Sequence, residues 1–259
     1  MFKPELKYTH NGMPVISNEE IDALGERMVV DFDHTSLFRP HPIDIERFVD
    51  KYLKMPIEFM YLSHCGVYLG TTVFQTTDHL PVYIPKENCA DYAHVEAGTV
   101  VIDGSLDRED QEHRLRFTLG HEGGHGVFHP SYFLNTIGST DRDDTGIYVR
   151  CRSDFKVFGD GFGGFNNMTD AERVEQQANR FSAAVLMPRS AVKILLASKP
   201  YNRTEEWIVF APRGYVVSFH FGKFKMFAAL FANTLLLFIA CYFLRFCKCA
   251  QVKMLFVPG

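Results

Sequence analysis

The chain has 259 residues, 46% of them hydrophobic and 22% charged, which is enough apolar material for a buried core and excludes a disordered chain. Its formal net charge of −4 offers no basic field for a nucleic-acid backbone, so direct nucleic-acid binding is not expected. The six cysteines are sparse and form no disulfide framework, which favours a reducing compartment. The first residues lack the apolar segment of a signal peptide, and we expect the folded part in the cytoplasm.

The first half of the chain predicts helices followed by a small sheet. Ser17 and Glu20 form a capping-box pattern ahead of apolar residues at helical spacing, and a second helix is expected near Pro42. Short runs rich in β-branched and aromatic residues then predict strands at residues 57–62, 67–74, 82–84 and 99–102.

Two further helices are predicted on either side of a long connection. The first runs from about residue 107 to residue 129, where Pro130 ends it. Residues 135–167 are rich in Gly, Asp, Ser and Thr and are expected to be a surface connection. The next helix begins near Thr169 and ends before Pro188.

The predicted helix 107–129 contains the pattern His-Glu-x-x-His. His121 and His125 are four residues apart and share one face of a helix, where two neutral imidazoles can bind one zinc ion. Glu122 lies beside the first histidine, in position to act as the catalytic base toward water that the metal activates. The spacing therefore predicts a zinc peptidase site.

Glu172 and Glu175, on the following helix, compete as the third metal ligand. Glu175 lies one turn before Ala178, on the side that the apolar residues mark as buried, whereas the helix dipole alone favours Glu172 near the helix start. We choose Glu175.

Glycines and a third histidine also distinguish the His-Glu-x-x-His helix. Glycines at 120, 123, 124 and 126 each cost about 1 kcal/mol relative to Ala, so we expect another backbone to approach this helix closely. His129 is interpreted as a helix-end residue, with a role in supporting a metal ligand as the alternative. Tyr132 and His129 are candidates for stabilising the tetrahedral intermediate.

Two segments resemble the ImmA/IrrE family of metallopeptidases. Residues 116–125 have the sequence RFTLGHEGGH, with His129 following, and resemble that family's R-F-T-x-A-H-E-L-G-H-x-x-x-H segment. Residues 175–188 have the sequence EQQANRFSAAVLMP and resemble its E-x-x-A-N-x-F-A-A-x-L-L-M-P segment. The resemblance covers roughly residues 17 to 195, with Gly120 and Gly123 standing where Ala and Leu are usual.

The resemblance implies an α+β fold: a zincin-like metallopeptidase domain over residues 1–200, with a small β-sheet. By this match His121, His125 and Glu175 are zinc ligands, Glu122 is the base, and Asn179 supports the ligands. Family members typically cleave a helix-turn-helix repressor and so switch on a mobile-element or stress-response operon, which makes such a repressor the expected protein substrate.

The tail, residues 201–259, does not match the family. Residues 226–244 are a run of 19 without a charge, roughly 28 Å long if helical, which predicts an apolar C-terminal helix that could anchor the chain to a membrane. A tail altered by a frameshift is the alternative.

Three functions therefore compete. A site-specific endopeptidase leads, because both histidines and both glutamates of the site are present. A membrane-bound housekeeping zinc peptidase ranks lower, since such enzymes usually have several apolar spans. The third is a non-catalytic sensor or binding module of the same fold.

Overall fold

The computed structural model describes residues 2–36, 38–136, 147–152, 168–198, 202–203, 207–210, 215–221 and 250–256. The chain divides into two compact units, Met1–Phe158 with Asn167–Arg189, and Gly159–Asn166 with Ser190–Gly259. The candidate site lies wholly in the first unit. The division predicted near residue 200 stays a prediction.

The described part of the first unit is a mixture of helices and short strands, as expected for an α+β fold. Its helices are α1 (Asn18–Phe32), α2 (Ile45–Arg47), α3 (Glu112–Phe128), α4 (Pro130–Thr136) and α5 (Asp170–Leu186). Its strands are β1 (Ile57–Met60), β2 (Tyr68–Val73), β3 (Thr77–Ile84), β4 (Cys89–Val95), β5 (Val100–Asp103) and β6 (Tyr148–Arg152). One π-helical turn (Phe48–Tyr52) and two 3-10 turns (Gly104–Leu106, Glu109–Gln111) complete it.

Capping residues set the starts of the helices. The Ser17 hydroxyl accepts from the Glu20 backbone and the Glu20 carboxylate accepts from the Ser17 backbone, which confirms the predicted capping box of α1. Thr169 and Glu172 form the same reciprocal pair at the start of α5. The helix expected near Pro42 begins instead at Ile45, because Asp44 caps it by accepting from the Arg47 backbone.

The main sheet has the strand order β1-β5-β2-β6, with β1 parallel to β5 and the other pairs antiparallel. Strands β3 and β4 form a separate antiparallel hairpin. The predicted surface connection 135–167 contains β6, a strand that the polar composition of the segment concealed. Its pairing with β2, residue Tyr148 with Val73, joins positions 75 apart, and such long-range pairing leaves no local pattern.

Both faces of strand β5 are buried, which explains its continuous apolar sequence. Val100 and Ile102 pack into the main core with α1, α3 and α5, while Val101 packs with the residues of the β3–β4 hairpin. The main core includes side chains that are fully buried, among them Ile21, Met28, Phe48, Leu119, Phe128 and Phe181.

In the second unit the described strands form one antiparallel sheet. These strands are β7 (Asn202–Arg203), β8 (Trp207–Phe210), β9 (Tyr215–Phe221) and β10 (Ala250–Phe256), in the order β10-β9-β8-β7. Helix α6 (Arg189–Ser198) begins at the end of the first unit. The apolar helix predicted over residues 226–244 lies outside the described residues. Among the residues that are described, no helix has both the length and the apolar character needed to span a membrane.

Helix α3 packs against α5 through Gly120 and Gly124, where the cost of glycine in a helix interior predicted a close backbone neighbour, whereas Gly123 and Gly126 face the Leu53 and Met55 side chains. A Cβ atom added at Gly124 would lie 3.0 Å from the Ala178 Cα and 3.1 Å from its carbonyl oxygen. One added at Gly120 would lie 3.2 Å from the Ser182 Cα. The two helix backbones are therefore almost in contact, and this contact brings their polar residues together.

We predict that Gly124→Ala destabilises the protein by about 1–2 kcal/mol, because overpacking against the Ala178 backbone outweighs the gain of about 1 kcal/mol in helix propensity. Gly123→Ala is the matched control in the same helix, since its Cβ would meet the end of the flexible Leu53 side chain at 3.0 Å. Its free energy of unfolding should stay within about 1 kcal/mol of the native value. Urea unfolding measures both, and equal losses in the two variants would contradict the backbone contact.

Candidate metal centre

Four side chains named from the sequence meet between α3 and α5. His121, Glu122 and His125 lie on α3, Glu175 lies on α5, and all four residues are buried. Glu175 retains 8% exposure and the other three at most 1%, so the group is almost closed to solvent.

Three of these side chains converge on one point. The Nε2 atoms of His121 and His125 are 2.9 Å apart, and the Glu175 carboxylate oxygens lie 3.3 Å from the first and 3.6 Å from the second. This buried group could hold a metal ion. Glu172, the competing candidate, forms a different contact. Its carboxylate accepts a hydrogen bond from the Thr169 backbone N–H at 2.8 Å, at the exposed start of α5. The geometry therefore favours Glu175 over Glu172.

The tautomer of His121 follows from its second ring nitrogen. His121 Nδ1 lies 3.0 Å from the Asn179 Oδ1, an acceptor, so we assign the proton to Nδ1. Nε2 then presents its lone pair to the convergence point. Asn179 was expected to support the ligands from the resemblance, and it lies where it can do so.

The tautomer of His125 follows from a longer chain of hydrogen bonds. Gln177 Nε2 donates to the Pro14 carbonyl at 3.2 Å, which orients its Oε1 toward His129 Nε2 at 3.0 Å. His129 therefore donates from Nε2, and its Nδ1 accepts from His125 Nδ1 at 3.1 Å. His125 Nε2 is left with its lone pair facing His121 and Glu175.

His129 thus differs from its favoured interpretation as a helix-end residue facing only the helix dipole. It ends α3, but its side chain is fully buried and bonded at both ring nitrogens. The structure shows the alternative arrangement, in which His129 contacts His125, a candidate metal ligand. Because both nitrogens are engaged, His129 is a poor candidate for stabilising an oxyanion. Tyr132 packs edge to face on Phe133 and remains a candidate for that role.

The acid–base properties of the histidines suit a cation at the convergence point. Burial, together with the neighbouring His121 and His129, holds the pKa of His125 well below its usual range, and burial lowers the pKa of His129 to about 3. Burial opposes charge on His121 as well, but Cys151 and Glu175 beside it raise its pKa well above the usual value. In the metal-free protein a proton on His121 Nε2 therefore lies among the acceptors, and a bound metal ion would displace it.

Glu122 is oriented by a residue that sequence reasoning missed. Thr72 on β2 donates from its hydroxyl to Glu122 Oε2 at 2.6 Å, whereas Oε1 is buried without a hydrogen-bond partner among the described residues. Burial raises the pKa of Glu122 to about 7. Gly70 on the same strand leaves room for the carboxylate, since a Cβ there would lie 2.8 Å from Oε1.

The structure also places two other unpredicted residues at the site. Gln177 is two positions after Glu175 on α5, and Cys151 lies on β6. No local motif marks Thr72, Gln177 or Cys151, because each reaches the site through contacts between elements distant in the sequence.

Comparison of this chain with protein-family models, with curated proteins and with solved structures found no match in any of the three. The resemblance to the ImmA/IrrE family stays a prediction.

We predict that His129→Phe weakens metal binding by roughly 10- to 100-fold, because His125 loses the acceptor that fixes its tautomer. A competition titration with a chromophoric chelator measures the dissociation constant. The matched control is His94→Phe, which removes an exposed histidine that is hydrogen-bonded to Asp78 and Glu96. Equal affinities in native protein and His129→Phe would contradict the assignment.

We predict that Glu122→Gln stabilises the metal-free protein, and only above acidic pH. Folding raises the Glu122 pKa from 4.5 to about 7. Between these pH values the unfolded chain has released its proton while the folded chain still holds it, so the free energy of unfolding falls as the pH rises. The glutamine variant lacks this loss, and its advantage should grow to about 3 kcal/mol at pH 8. Denaturant unfolding from pH 5 to pH 8 measures it; a pH-independent difference would contradict the buried carboxyl.

Proposed function

We propose that this protein is a zinc-dependent endopeptidase with a zincin-like fold. The observation that carries the proposal is the convergence of three buried acceptors, His121 Nε2, His125 Nε2 and a Glu175 carboxylate, on one point. The assigned tautomers turn both Nε2 atoms inward toward Glu175, where a proton lies between them in the metal-free protein and a bound metal ion would take its place. Two imidazoles and one carboxylate are a common ligand set of catalytic zinc.

The residues around the proposed zinc ion have distinct roles. His121, His125 and Glu175 would hold it, and zinc bound there would act as a Lewis acid toward water and toward a peptide carbonyl. Glu122 is the base: it would remove a proton from water and later donate it to the leaving amine. Thr72 holds one carboxylate oxygen and leaves Oε1 to take that proton.

The edge of the main sheet supports a peptide as substrate. Within the described residues β6 pairs with β2, and we propose that an extended peptide adds to the other edge of β6. Cys151, at the site, belongs to this strand. A peptide added to β6 would therefore run past the proposed zinc position.

The substrate we propose is a helix-turn-helix repressor, and the compartment is the cytoplasm. Both come from the ImmA/IrrE resemblance, and the intact set of His121, Glu122, His125 and Glu175 supports a catalytic rather than a sensor role. We also propose that residues 226–244 contact a membrane.

Metal content tests the ligand set. We expect about one zinc per chain in the native protein, a marked loss in Glu175→Ala, and native content in the control Glu172→Gln. Elemental analysis after dialysis gives the ratio. Zinc retained in Glu175→Ala would show that Glu175 is not a ligand. A folded native chain that binds no metal would contradict the peptidase proposal.

Cleavage tests the catalytic role. We expect the zinc-loaded native protein to cut a repressor encoded in a neighbouring reading frame at one bond, detected by mass spectrometry of the fragments. Glu122→Gln should keep its zinc and lose at least about 100-fold in rate, because general acid–base catalysis is removed. Undiminished cleavage by the zinc-loaded variant would exclude Glu122 as the base.

A further inference from the structure

A second donor cluster adjoins the proposed zinc ligands. It consists of a His121 ring nitrogen, a Glu122 carboxylate oxygen and the Cys151 sulfur, all within 4.8 Å of one another. His121 belongs to both clusters, so the thiol lies beside one proposed zinc ligand and beside the proposed base. Soft thiolate sulfur is among the preferred donors of zinc in proteins.

The fold directs Cys151 to this place. Strand β6 pairs with β2 so that Cys151 lies opposite Gly70, and β2 also carries Thr72, which binds Glu122. A Cβ at Gly70 would lie 2.8 Å from Glu122 Oε1, so the paired residues Gly70 and Cys151 both adjoin the glutamate. The other described cysteines, Cys65 and Cys89, are exposed and belong to no such cluster among the described residues.

An independent observation also indicates a missing ligand here. Glu122 is fully buried, and its Oε1 has no hydrogen-bond partner among the described residues. An unpaired buried carboxylate oxygen is costly, so its pocket is suited to a further polar or charged group.

We propose that Cys151 is a fourth, displaceable ligand of the metal site, completing a His121, His125, Glu175 and Cys151 set. This inference rests on the proposed function, since it requires zinc at the first cluster. In a tetrahedral zinc site, sulfur and nitrogen donors lie roughly 3.5 Å apart, and the Cys151 sulfur lies within 4.8 Å of a His121 ring nitrogen, so it needs to approach that nitrogen by at most about 1.3 Å. On coordination the S–H bond breaks, a metal–sulfur bond forms, and the proton is released to solvent.

Coordination by Cys151 has a direct consequence for activity. A catalytic zinc site keeps one position open for water or substrate, whereas four protein ligands close it. The resting enzyme would therefore be latent. It would become active when a peptide that adds to β6 draws this strand, and Cys151 with it, away from the metal.

The test replaces zinc by Co²⁺ in the full chain, because a thiolate bonded to Co²⁺ gives an intense charge-transfer absorption in the near ultraviolet and histidine or carboxylate ligands do not. We expect this band in the native protein and in the control Cys89→Ser. It should be lost in Cys151→Ser and Cys151→Ala, while all four proteins retain about one Co²⁺ per chain and its visible bands.

Other results overturn the proposal and separate it from the proposed function. Native protein that binds Co²⁺ without the charge-transfer band would exclude Cys151 as a ligand and leave the three-ligand site intact. A band that persists in both Cys151 variants would assign the thiolate to another cysteine. Native protein that binds no Co²⁺ and no zinc would overturn the metal site itself.

A measurement on native protein guards against misfolding of the variants. Zinc should slow iodoacetamide alkylation of Cys151 at least about tenfold, as mapped by mass spectrometry, and leave alkylation of the exposed Cys65 and Cys89 unchanged. Equal alkylation of Cys151 with and without zinc would contradict coordination.

Discussion

The near-contact between the backbones of α3 and α5 is the constraint on which the rest of the site depends. Gly124 lies against Ala178, and Gly120 against Ser182, at separations that leave no room for a Cβ atom. One helix carries both histidines and the other carries Glu175, whose carboxylate must reach them within hydrogen-bonding distance. A wider interface would pull the carboxylate away. The low helix propensity of glycine is thus the cost of placing three metal donors on two rigid elements.

The candidate ligand histidines are oriented by neutral amide side chains rather than by charged groups. Asn179 and Gln177 lie on α5; the Asn179 side-chain oxygen accepts a hydrogen bond from His121 of α3, and that of Gln177 accepts one from His129, directly after α3. Since amide groups do not titrate, the histidine tautomers stay the same over a wide pH range. The same helix that supplies the carboxylate therefore also fixes the direction of both imidazole lone pairs, so the geometry of the site is set by one interface.

The sequence predicted the local parts of this arrangement and missed the distant ones. The capping box of α1 and the shared face of His121 and His125 follow from spacings of three or four residues, and the low helix propensity of glycine indicated a close neighbour at the glycines. Cys151 is placed by pairing of β2 with β6, whose partners are some 80 residues apart along the chain, and Thr72 reaches Glu122 from β2 across 50 positions. Such pairings depend on topology, which spacing alone does not reveal.

The hydrogen bond from Gln177 to the Pro14 carbonyl has a practical consequence for anyone preparing this protein. The segment before α1 bears no motif and would be an obvious target for trimming or for a fused tag. Yet its carbonyl is what orients the glutamine that in turn orients two histidines. Removing residues 2–14 would free that amide to rotate, and its nitrogen could then face His129. Because the buried Met13 and the core contacts of Phe2 and Leu6 are lost as well, trimming this segment disturbs both the core and the orientation of His125.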